Sequence, residues 1–117
     1  MQEAFDAMVA HLRNQGEPSL DEELERAVYR NANGLKCAIG VLISDEYYDP
    51  AFDQNGGLDV MKPEVQSALA KSGVPVDSWA MDMLARMQRV HDDWEPDMWE
   101  GEFSEVAKAY GLKFKKV

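Results

Sequence analysis

Only one cysteine, Cys37, and only two histidines occur among the 117 residues. An intramolecular disulfide is therefore impossible, no Cys cluster exists for a structural zinc, and a reducing compartment is the natural setting. Bases are scarce as well: twelve Lys and Arg stand against twenty-two Asp and Glu, for a net charge of −10. That balance opposes sequence-independent attraction to nucleic-acid phosphate or to anionic membrane surfaces. The longest apolar run, residues 37–43, is far too short to span a bilayer. The first residues mix acids with apolar positions and lack both a basic start and a continuous apolar stretch, so no signal peptide is expected. Catalytic fingerprints are missing too: there is no Gly-rich dinucleotide motif, no phosphate loop followed by Lys-Ser/Thr, and no G-x-S-x-G.

What is present is the composition of a folded globule, 45% hydrophobic and 29% charged with three Trp, four Tyr and four Phe. A chain of this length supports one core, so residues 1–117 are expected to form a single acidic domain. Phe5, Met8, Val9 and Leu12 recur at helical spacing, with Gly16 placed to close the helix. Ser19 with Glu22 reads as a capping box, and Leu20, Leu24, Ala27 and Val28 continue a helical stripe as far as Gly34. Residues 36–43 are ambiguous between helix and strand. Limited β-branching favours helix, with Gly40 admitting the close approach of a neighbouring helix.

Pro63 opens a short helix through Val65, Ala68 and Leu69. A longer one follows from Ser78 to His91 behind an Asp77 cap, and a last one carries Trp99, Phe103, Val106 and Tyr110 up to Gly111. The expected fold is all-α, a compact bundle of about six short helices, or α+β if residues 36–43 form a strand. No internal repeat or low-complexity tract appears.

The chemistry-bearing stretch is HDDWEPDMWEGEF, beginning at His91. Residues 92–105 hold seven acids and no base. Trp99, Phe103 and Val106 are expected to face inward and Glu100, Glu102 and Glu105 outward, an ordinary amphipathic helix. A metal site centred on His91, Asp92 and Asp93 would need further ligands, and the only other histidine is His11 on the polar side of the first helix. His91 is more simply a helix-end cation or a hydrogen-bonded core histidine. Cys37, in an apolar run, reads as a buried structural thiol, and a Cys37–His91 dyad has no motif to support it. Residues 53–59, DQNGGLD, carry oxygen ligands at calcium-loop spacing only at the start; the glycine position is wrong, which leaves a Gly-rich turn.

Two base-free acidic segments, residues 45–59 and 92–105, are interleaved with aromatics: Tyr47, Tyr48 and Phe52 in one, Trp94, Trp99 and Phe103 in the other. Aromatic anchors ringed by carboxylates suit a basic partner surface, including one that ordinarily holds nucleic acid. The candidate partner-binding residues are Asp92, Asp93, Glu95, Asp97, Glu100, Glu102, Tyr47 and Tyr48. No catalytic or metal-ligating residue and no cofactor is assigned.

Four motifs, the helix end HLRNQG, the segment GLKCAIGVLI followed by an acidic Tyr-Pro stretch, QRVHD, and FSEVAKAYGL, together resemble a group of small bacteriophage proteins. The shared pattern is HLxxQG, G-x-K-C-A-I-G-x-L-I and Q-x-V-H-D. The resemblance implies a phage gene acting in the bacterial cytoplasm, but no defined activity. Small acidic phage proteins as a class often occupy a host protein, so the expected function is binding and modulating or inhibiting a bacterial protein. Two alternatives stand beside it: a small metal-dependent or Cys/His enzyme built on His91, Asp92 and Asp93 with His11 or Cys37, and a homo-oligomeric accessory protein with a homodimer seam around Trp94 and Trp99.

Overall fold

The computed structural model describes residues 1–23, 26–53 and 62–115. Within them the chain is mostly helical, with four α-helices and one small antiparallel sheet: α1 Gln2–Gln15, β1 Leu20–Asp21, β2 Arg26–Ala27, α2 Pro63–Lys71, α3 Ser78–Asp93 and α4 Trp99–Tyr110. Single turns of 3-10 helix occur at Asp45–Tyr47, Pro50–Asp53 and Pro96–Met98.

Local signals set the ends of the helices. Gly16 adopts φ 72° and its N–H donates to the Leu12 carbonyl, closing α1 in the left-handed conformation that a side chain would resist. Pro63 occupies the first turn of α2, where its missing N–H costs nothing. The Asp77 carboxylate accepts from the Ala80 N–H at 3.0 Å and starts α3. Gly111, at φ 65°, ends α4. α3 packs chiefly on α4 and also on α1. Phe5, Met8, Leu12, Leu69, Met83, Leu84, Met87 and Phe103 are fully buried between the helices. Each such side chain contributes about 1.5–3 kcal/mol by leaving water. Beyond α4 the chain returns across α1, with the Phe114 ring edge-on to Phe5 and Phe103 at centroid distances of 6.2 and 6.4 Å.

Two of the six expected helices are not formed. The Ser19 segment is a two-stranded hairpin, with Leu20 opposite Ala27 and Asp21 opposite Arg26. Tertiary partners override the local cap: the Ser19 hydroxyl donates to the Leu35 carbonyl and its own carbonyl accepts from Val28 N–H. Residues 38–42 form successive turns rather than helix or strand. Lys36 makes a lone bridge with Arg30, and the Cys37 N–H donates to the Tyr29 carbonyl. Gly40 does admit a close approach, but from backbone in a loop: a Cβ there would lie 2.1 Å from the Tyr29 oxygen. The small sheet thus lies in 20–27, not in 36–43. The Gly-rich turn expected after Asp53 lies outside the described residues.

Candidate functional site

His91 and Asp92 lie in the last turn of α3, which runs two residues further than the expected span from Ser78 to His91. The His91 side chain is sealed from solvent and stacked on Trp99, at 6.0 Å between ring centroids. Its Nε2 accepts from the Ser19 backbone N–H at 2.8 Å, which requires a lone pair there and puts the ring proton on Nδ1. Nδ1–H then donates to Asp92 Oδ1 at 2.7 Å. The same oxygen accepts from Gln88 Nε2 at 2.9 Å, and Gln88 Oε1 accepts from Ile39 N–H at 3.1 Å. Both ring nitrogens are therefore engaged within the fold, and neither is presented to a substrate.

α1 grips the same loop from the other side. His11 Nε2–H and Gln15 Nε2 both donate to the Lys36 carbonyl at 2.9 Å, while Gln15 Oε1 accepts from the Lys36 N–H at 2.9 Å. The HLRNQG, GLKCAIG and QRVHD motifs meet in one polar frame that holds residues 16–19 and 36–40, segments with little regular structure of their own. Buried backbone groups left unpaired cost about 1–3 kcal/mol each, which is the physical need the frame meets. Cys37 sits inside it, fully buried, accepting from the Gly40 N–H at 3.2 Å. Burial pushes its thiol far above the ordinary value, against the lowering effect of the Gly40 hydrogen bond.

A second frame surrounds Asp53. Its buried carboxylate accepts from Tyr29 N–H at 2.7 Å and from the Tyr48 hydroxyl at 2.6 Å. Arg30 lies 4.4 Å over the Tyr48 ring and donates to the Ile43 carbonyl at 2.5 Å and to Asp45 at 2.7 Å. Burial, then the hydrogen bond to Asp53, raises the Tyr48 phenol, and the Arg30 hydrogen bond holds the Asp45 carboxyl below its usual range.

The candidate partner-binding residues thus divide. Asp92 and Tyr48 serve the two frames, and Glu100 accepts both prongs of Arg13, at 2.6 and 2.7 Å. Glu102 and Tyr47 are half-buried. Of the aromatics placed with them, Trp99 and Phe103 are core and Phe52 is buried. The homodimer seam drawn through Trp94 and Trp99 accordingly loses Trp99. Asp93, Glu95 and Asp97 are exposed, and their carboxylates make no hydrogen bond or ion pair among the described residues. They surround Trp94 and Met98, which are 43% and 49% exposed. Met98 escaped the sequence reading, although it stands one place before the buried stripe that Trp99 begins. Leu20, 50% exposed, follows the Ser19 that His91 holds, so it lies at this same end of α3.

Among the described residues no three His, Cys, Asp or Glu side chains gather around a point that would hold a metal ion. No described helix is long and apolar enough to cross a membrane. No family model matches the chain, and neither a curated protein nor a solved structure matches it.

Proposed function

We propose that the chain is a small acidic bacteriophage protein that binds, and so modulates or inhibits, a bacterial host protein through the turn between α3 and α4. The supporting observation is the exposure of Trp94 and Met98 among the carboxylates of Asp93, Glu95 and Asp97, which have no partner among the described residues. Large apolar side chains that keep nearly half their surface in water gain further burial under a partner, where they act as anchors. The carboxylates select a basic partner surface, speed its approach and disfavour acidic competitors. The phage origin and the bacterial cytoplasm as the site of action rest on the KCAIG and QRVHD resemblance. The enzyme alternative is weakened because His91 and Cys37 are both sealed and the ring nitrogens of His91 are both engaged.

The test is capture from a bacterial host lysate by tagged protein, compared with a folded Asp93→Lys, Glu95→Lys, Asp97→Lys variant. The reading requires a near-stoichiometric basic protein on the first column and its loss from the second. Equal capture by the triple variant removes the assignment of this surface.

A further inference from the structure

Next to this turn an apolar groove of about 510 Å³ opens between the end of α1 and the start of α4. Its floor is core: Leu12, Trp99 and Phe103 are each at most 3% exposed, yet they line the depression. Charged residues also line it, Asp97, Glu100 and Arg13. Among the described residues the cation at the rim is Arg13, which is already committed to Glu100 and to the Lys115 carbonyl. The exposed acids of the neighbouring turn, Asp93 and Glu95, extend the negative rim toward Trp94.

We infer that this groove takes one apolar side chain of a basic partner segment, with a lysine or arginine on each side of it reaching Asp97 and the turn carboxylates. This rests on the binding function proposed above and names the feature the partner must carry. Charge decides among occupants. A second copy docked on this face about a two-fold axis would set the acidic patch against its own copy, which is repulsive. An acidic segment meets the same repulsion. A basic segment gains attraction at the rim and hydrophobic burial on the floor.

The test uses three synthetic pentapeptides and the intact protein, followed by the indole N–H signals of Trp94 and Trp99 in two-dimensional NMR at low salt. The first probe is Lys-Arg-Leu-Arg-Lys, the second replaces its leucine by alanine, and the third replaces its bases by glutamate. The leucine peptide is expected to bind about ten- to fiftyfold more tightly than the alanine peptide, the scale set by burying two to three additional carbons of leucine. It should move the Trp99 signal, the glutamate peptide should not bind, and Asp97→Lys should weaken the leucine peptide at least several-fold. Equal binding of the leucine and alanine peptides would overturn the groove assignment while leaving the acidic surface intact. Absence of binding by both, or a concentration-dependent dimer in sedimentation that Asp97→Lys dissociates, would overturn it as well. Failure of the broader reading looks different, because lysate capture is then lost or indifferent to charge reversal whatever the peptides do.

Discussion

His91 shows how a residue with a catalytic reputation can be fixed in a structural role. Its ring fills core space against Trp99 and carries a hydrogen bond at each nitrogen. Truncation leaves a cavity and an unpaired Ser19 N–H, and takes from Asp92 Oδ1 one of its two hydrogen bonds. His91→Ala is expected to lower unfolding free energy by about 3 kcal/mol in urea titration, from a cavity together with a lost buried hydrogen bond. A loss below about 1 kcal/mol would contradict the frame. Cys37 gives a second check at this scale. With its thiol pushed up by burial and no route to solvent, it should ignore a disulfide reagent at pH 8 in the native protein and react at once in denaturant. Asp45 carries a pH signature: Arg30 lowers its folded value below the unfolded one, so its contribution is present above the ordinary aspartate range and fades as pH falls through the lowered value. The stability difference between wild type and Asp45→Asn should therefore shrink toward acid pH.

At the scale of elements, the four helices were legible because their determinants are local. Apolar spacing with Gly16, Pro63, Asp77 and Gly111 as boundary residues marks α1 through α4 in the sequence. The 19–43 region was not legible, because its order comes from residues far away in the chain. Ser19 and Glu22 satisfy the local grammar of a capping box, yet the polar groups of Ser19 bind His91, Leu35 and Val28. One signal was available: Gln88 and His91 fall on the apolar stripe of α3 with Leu84 and Met87. Polar side chains on a core face announce a buried network, but not its partners. Glycine separates the two kinds of order. Gly40→Ala should unfold the protein or cost several kcal/mol, since its Cβ would collide with Tyr29 backbone. Gly101→Ala, in α4 with open space around it, should stabilise by about 0.5–1 kcal/mol in the same urea titration.

For the whole molecule, the sequence offered two acid-and-aromatic segments, with most of the candidate residues in 92–105, and folding separates them. Around Tyr48 and Asp53 the acids and rings face one another and hold a loop; around Trp94 and Met98 they face water. Periodicity could place Trp99 and Phe103 in the core, but spacing alone carried no sign that Glu100 would turn toward Arg13. A net charge of −10 acts on the entire surface, so its self-repulsion should be relieved by screening. Partner binding depends on that charge in the opposite sense and weakens as salt rises. The most direct measurement is lysate capture by the wild-type chain and the Asp93→Lys, Glu95→Lys, Asp97→Lys variant at two salt concentrations. The account predicts one basic host protein retained by wild type, reduced at the higher salt and absent from the variant column. Retention by the folded variant, or retention unaffected by salt, would contradict it.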